Sequence, residues 1–174
     1  VVLSGGSAFG LESTCGVSKY LEENNIGFDV GVAKVPIVVG AVLFDLGVGN
    51  PKSRPNIEMG YRACQVASDT KLNQGNFGAG CGATVGKIKG IEYAMKGGIG
   101  SHSIKLPNGL VVSALVAVNA FGDVYENGKV IAGVMDDEKK NVLNSYELMK
   151  NGVNKGGFSI DNTTIGIVAT NAKL

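Results

Sequence analysis

Acyl transfer needs a nucleophile, a base to activate it and a donor for the negative charge that then develops. This sequence offers few ways to assemble that set. Its one histidine, His102, lies between Ser101 and Ser103 on an expected strand edge. A Ser-His-Asp or Cys-His site would have to use it, and a solvent-facing or packing histidine is the simpler reading. Gly5-Gly6-Ser7-Ala8-Phe9 falls just short of the G-x-S-x-G elbow, because Phe9 holds the place of the last glycine and Gly10 comes one residue late. Ser7 is expected instead to cap a helix. Cys15, Cys64 and Cys81 are odd in number and form no C-x-x-C pair, which argues against a disulfide framework or a cysteine zinc site.

Other groups keep a different chemistry open. Asp161-Asn162-Thr163-Thr164 precedes an apolar run and reads first as a turn. Asn162-Thr163-Thr164 also fits N-x-[ST], although glycosylation needs a secretory context. The third reading is a self-cleaving bond. A threonine hydroxyl attacks the carbonyl before it, an N→O acyl shift and hydrolysis follow, and a free α-amine with an ordinary pKa of about 8 is left to assist its own hydroxyl. Asn119 ends the run LVVSALVAVNA; it is either a turn former before Phe121-Gly122-Asp123 or an amide donor aimed into a pocket. Lys87 and Lys96 lie among glycines, and each either faces solvent or assists a nucleophile or oxyanion. Gly78-Ala79-Gly80-Cys81-Gly82-Ala83 fits G-x-G-x-x-A, but the polar stretch before it is no strand, as a dinucleotide fold would require. A P-loop fails at Cys81 and Ile88. A simple turn, or a loop of backbone amides lining a site, remains.

The elements that must position these groups follow from pattern. Val1–Ser4 reads as a short buried strand, followed by a helix from about Ser7 to Glu23 with Leu11, Cys15, Tyr20 and Leu21 inward. Pro36–Phe44 is continuously apolar and reads as a strand buried on both faces. Helical spacing covers Ile57–Leu72, with Met59, Ala63, Val66 and Ala67 inward. Pro107-Asn108-Gly109 and Asn127-Gly128 each separate β-rich runs, so two hairpins forming a meander are expected. Glu138–Lys150 reads as a helix with Val142, Leu143, Tyr146 and Met149 inward. Gly152–Gly157 reads as a flexible loop, and Thr164–Thr170 as a final strand. The fold class is α/β or α+β with a mixed sheet.

Composition sets the outer bounds. The 174 residues make one ordinary domain, long enough to bury a core. Glycine supplies 27 of them against only 4 prolines, with no G-X-Y period, so this is neither collagen nor a disordered Pro/Gly chain. A net charge of +1 without like-charge blocks disfavours nucleic-acid or membrane-surface binding driven by charge. No apolar run reaches transmembrane length, which is about 18 residues. No signal peptide is visible, and a cytoplasmic location is expected. No cofactor or metal is expected.

In order along the chain, VVLSGGSAFGLE, PIVVGAVLFDL, NFGAGCGATVGK, MKGGIGS, LVAVNAFGDV and NTTIGIVATNAKL together resemble the L-aminopeptidase/D-esterase (DmpA-type) peptidases. That family includes β-aminopeptidases and nylon-oligomer hydrolases. The resemblance implies an αββα sandwich like that of the N-terminal-nucleophile hydrolases with different connectivity, related in fold to the ornithine acetyltransferases. It implies self-cleavage between Asn162 and Thr163, with Thr163 as the nucleophile. Asn119 matches the oxyanion-stabilising asparagine. Lys87 best matches an active-site lysine, with Lys96 as a rival placement. Some members carry Tyr where this chain has Phe44. The implied substrates are small peptides, amides or esters, and the implied assembly is a homo-oligomer, often a tetramer. Family members continue well past the equivalent of Leu174, and that stretch supports the nucleophile. Residues 1–174 are therefore expected to form a single domain that is an incomplete part of a longer precursor. Two alternatives stand beside the hydrolase: an acyltransferase of the ornithine acetyltransferase type, and a non-catalytic glycine-rich module for small anions.

Overall fold

The computed structural model describes residues 1–69, 72–153 and 162–173. In chain order the strands are β1 (Val2–Ser4), β2 (Phe28–Asp29), β3 (Lys34–Val35), β4 (Gly40–Val42), β5 (Thr84–Val85), β6 (Met95–Lys96), β7 (Gly98–Lys105), β8 (Val111–Val118), β9 (Val124–Glu126), β10 (Lys129–Ala132) and β11 (Ile165–Thr170). The helices are α1 (Glu12–Glu23), α2 (Ile57–Gln65) and α3 (Ser145–Lys150). The fold is α+β.

The β-branched run of β8 is the centre of an antiparallel sheet in the order β11-β8-β7. Both expected hairpins are present. β7 and β8 are joined across Pro107-Asn108-Gly109, with Gly109 at φ 85. β9 and β10 are joined by Asn127 and Gly128 at φ 50 and 78, the two left-handed residues of a tight turn whose twist suits a hairpin. They do not form one meander: among the described residues β9 and β10 pair only with each other. β1 pairs with β4 in parallel, β2 with β3 and β5 with β6 antiparallel. Leu43, Ala79, Ala83, Ala117 and Ile165 form the buried apolar cluster, with Leu3, Ala41 and Ile99 packed against it. This core joins the central sheet to the glycine-rich loop and to the end of the β4 segment.

Several helical and strand expectations are corrected. Ser7 does not cap: Gly6 takes the cap position at φ 82 without a side-chain bond, and Ser7–Leu11 is a 3-10 turn leading into α1. Ser13 and Gly16 are the buried residues of α1, whereas Leu11 and Cys15 are exposed. The reason is the close approach of α2. A Cβ on Gly16 would collide with the Ile57 carbonyl oxygen, and one on Gly60 with the Ser13 carbonyl oxygen, so backbone packs on backbone. α2 stops at Gln65, leaving Met59 and Val66 exposed; its start is capped by Asn56, whose Oδ1 accepts from the Met59 amide at 2.9 Å. Only Gly40–Val42 of Pro36–Phe44 is strand, and Ile37 is 74% exposed.

The helix expected over Glu138–Lys150 is reduced to α3. Asp136 instead gathers the Lys140 amide at 2.8 Å and the Asn141 side chain at 2.7 Å, a local turn that competes with helix. Tyr146 and Met149 are exposed. Asp123 holds the start of α3, accepting from the Ser145 amide at 2.6 Å and hydroxyl at 2.5 Å. Most of the expected Gly152–Gly157 loop lies outside the described residues. Among those described, no helix is long and apolar enough to cross a membrane.

Candidate active site

Asn119 directly follows β8 and is completely buried. Its amide is held on both sides. Oδ1 accepts from the Thr84 amide at 3.0 Å, the Thr84 hydroxyl at 3.3 Å and the Lys87 Nζ at 2.9 Å. Nδ2 donates to the Phe44 carbonyl at 2.7 Å. Lys87 is only 5% exposed, so its ammonium is taken out of water and placed against a neutral dipole. In such surroundings the interaction is electrostatically stronger than in solvent and polarises the amide toward a better N–H donor.

Local backbone explains why Lys87 arrives there. Gly86 has φ 74, and a Cβ at that position would collide with the backbone of Gly133 and Val134, so glycine alone permits the turn after β5. The amides of Gly86 and Lys87 then donate to the carbonyls of Gly122 and Phe121, each at 2.8 Å, which fixes the turn against the chain following Asn119. A small cavity of about 50 Å³ opens beside these groups, lined by Phe44, Asp45, Gly47, Val48, Thr84, Lys87 and Ile91.

Thr163 and Asn162 are half-buried and lie just before β11. β11 runs antiparallel to β8 from Thr170 opposite Val112 to Ile165 opposite Ala117. The ladder ends there: Thr163 lies two residues before Ile165 and Asn119 two residues after Ala117, both at the same end of the sheet. The expected nucleophile, the expected oxyanion donor and Lys87 thus belong to one end of the sheet. Lys96 does not join them: it is exposed on β6, and its Nζ donates to the Cys81 carbonyl. His102 is exposed on β7 opposite Ala114, about 13 Å along the strand from Gly98 at the site end.

The glycine-rich loop closes partly on itself and partly on the site. The amides of Gly80, Cys81 and Ala83 donate to the carbonyls of Phe77, Gly78 and Gly80, so they are used within the turn itself. A Cβ on Gly5 or on Gly82 would overlap the Asp45 carboxylate, whose Oδ1 accepts from the Gly6 amide at 2.7 Å. Asp45 therefore ties the first glycine turn to the second beneath the site. Cys15, Cys64 and Cys81 are all free thiols, and burial pushes the Cys64 thiol up from its ordinary value. Among the described residues no group of three or more His, Cys, Asp or Glu side chains could hold a metal ion.

Sequence reasoning missed Thr84, the Phe44 carbonyl and Asp45. Thr84 had a signal, being a polar residue three before Lys87 in a segment otherwise apolar or glycine. A backbone carbonyl acting as acceptor leaves no trace in residue type.

Residues 1–174 match the family model for peptidase family S58 over their whole length. The chain belongs to peptidase family S58. An uncharacterised aminopeptidase of Mycobacterium leprae is 41% identical over 184 residues, covering 100% of this chain and 49% of that protein. One of Mycobacterium tuberculosis is 36% identical over 181 residues, covering 100% and 50%. A 6-aminohexanoate-oligomer endohydrolase of a Kocuria species is 26% identical over 183 residues, covering 100% and 49%. The chain spans about half the length of the curated relatives it matches. The resemblance drawn from the six motifs is thereby borne out: aminopeptidases and a nylon-oligomer hydrolase stand among its relatives.

Proposed function

We propose that this S58 chain carries the nucleophile of a self-processing hydrolase for small peptides, amides or esters, with Thr163 as an N-terminal nucleophile. One observation supports the reading: the β8–β11 ladder ends two residues short of both Thr163 and Asn119, and Asn119 accepts a hydrogen bond from Lys87. In processing, the Thr163 hydroxyl oxygen adds to the Asn162 carbonyl carbon, and the C–N bond between the two residues breaks. Water then hydrolyses the resulting ester, leaving a carboxylate on Asn162 and a free α-amine on Thr163. In turnover the same hydroxyl attacks a substrate acyl carbon while the α-amine takes its proton. The leaving amine or alcohol departs with a proton, and water releases the acyl group. At each tetrahedral stage the Asn119 amide supplies an N–H to the oxyanion, and the Lys87 ammonium polarises that amide.

The names of the relatives support hydrolysis of amide bonds. Residues 1–174 act as one domain of a longer precursor, cytoplasmic and homo-oligomeric. The large apolar side chains exposed over residues 26–39 support self-association.

Intact mass of the full-length protein tests the reading. A fragment beginning at Thr163 is expected, and Thr163→Ala should stay whole and lose at least 10³-fold in amidase activity, on the order seen when an activated nucleophile is removed. An uncut wild type, or hydrolysis that survives in Thr163→Ala, would overturn it.

A further inference from the structure

The Asn119 amide is the one group of the site that works only in one orientation. An amide oxygen and nitrogen have nearly the same shape, so packing alone does not choose between two states related by a flip. Its neighbours do choose. The Thr84 backbone N–H and the Lys87 ammonium can only donate, and the Phe44 carbonyl can only accept. Flipped, the NH₂ group would face two obligate donors in buried surroundings, and the oxygen would face an obligate acceptor in partly buried ones.

From this geometry we infer that Thr84 is a positioning residue for the reaction at Thr163: its amide and hydroxyl clamp Asn119 Oδ1, so that the amide's N–H edge stays turned to the reacting carbonyl. The inference rests on the Thr163 reading above. Thr84 suits the task because it is itself fixed. It is 7% exposed, it pairs with Lys96 in the β5–β6 ladder, and the neighbouring Ala83 carbonyl accepts from the Gly97 amide at 2.8 Å. A donor on a rigid strand holds direction better than the end of a lysine side chain, which reaches Oδ1 through four rotatable carbons. Without the hydroxyl, Oδ1 keeps the Thr84 backbone amide and Lys87 but loses its third donor, so the clamp on the amide is loosened.

Two substitutions separate positioning from packing, because they fail in opposite directions. Thr84→Val keeps the shape and removes the hydroxyl; Thr84→Ser keeps the hydroxyl and removes a methyl group. In the full-length protein, Thr84→Val should slow self-cleavage and lower kcat about 10-fold with KM within twofold, as expected for misdirecting a catalytic group. Thr84→Ser should stay within twofold of wild type in both. Impairment of Ser with a normal Val assigns the residue to packing and overturns the inference, as does wild-type behaviour of Val. A readout independent of activity keeps the two readings apart. The Asn119 side-chain amide protons, followed by ¹⁵N NMR, should exchange at least 10-fold faster in Thr84→Val and unchanged in Thr84→Ser. Unchanged exchange in Val overturns the clamp even if Thr163 proves to be the nucleophile. Faster exchange in an enzyme whose Thr163→Ala variant still hydrolyses would uphold the clamp and overturn the role assigned to Thr163.

Discussion

Lys87 and Lys96 are alike in the sequence, both basic and both set among glycines, yet they end in opposite environments. Lys87 lies buried on Asn119, and Lys96 lies exposed on the Cys81 carbonyl. What separates them is the left-handed turn at Gly86 and the β5–β6 pairing, in which Thr84 and Lys96 are partners. Lys87→Met should therefore slow self-cleavage by at least 100-fold, the order lost with an electrostatic contributor to an oxyanion. Lys96→Met should stay within about twofold; time courses of precursor conversion by mass spectrometry compare the two. Residue type was enough to mark Asn119 and both lysines as candidates, whereas Thr163 was chosen only by the family resemblance. Residue type could not rank the lysines, because that depends on a backbone angle and a strand register. Gly82 makes the same point for stability. An added methyl would displace the Asp45 carboxylate from its place against the Gly6 amide. Gly82→Ala should cost about 1–3 kcal/mol, within the range for overpacking, and lower the Tm of the folded protein.

At the scale of elements, hydrophobic spacing misplaced part of the faces of α1 and α2: Leu11, Cys15 and Met59 are exposed, while Tyr20 does pack edge-on against Tyr61 of α2. Spacing assigns large apolar residues to the inside, whereas the two helices meet through Gly16 and Gly60. The strands joined by Asn-Gly were legible because turn geometry is written in local sequence. Contact between two backbones is not, since it depends on what the partner brings. The sign of a substitution at the contact follows. Alanine in a helix interior gains about 1 kcal/mol over glycine, but at Gly60 the new Cβ meets the Ser13 carbonyl, which is backbone and cannot yield cheaply. Gly60→Ala should be net destabilising, read as a lower urea midpoint at unchanged slope.

The turn before α3 yields a pH prediction. The Asn141 side chain first, and the Lys140 amide next, hold the Asp136 carboxyl below its ordinary value. A depressed carboxylate contributes stability above its unfolded pKa, about 3.9, and loses that contribution as pH falls through the lower folded value. Asp136→Asn should therefore flatten the acid limb of Tm against pH below about pH 4 and leave the neutral region nearly parallel to wild type.

At the scale of the whole molecule, apolar surface is distributed unevenly. The arm from Ile26 to Val39 carries Phe28 at 65%, Val32 at 96% and Ile37 at 74% exposure. Among the described residues β2 and β3 within it pair only with each other, which leaves each with one open edge there. An apolar two-stranded arm with open edges invites another surface to cover it. Its strand charges, Asp29 and Lys34, stand opposite one another in register. If the homo-oligomer forms through this arm, Val32→Lys combined with Ile37→Lys should lower the mass of the full-length protein by light scattering. Processing at Thr163 should continue, because the sheet that carries it is built from β7, β8 and β11. If the remainder of the precursor covers the arm instead, the same pair should lower Tm and leave the mass unchanged. That outcome would remove the arm from the oligomer contact.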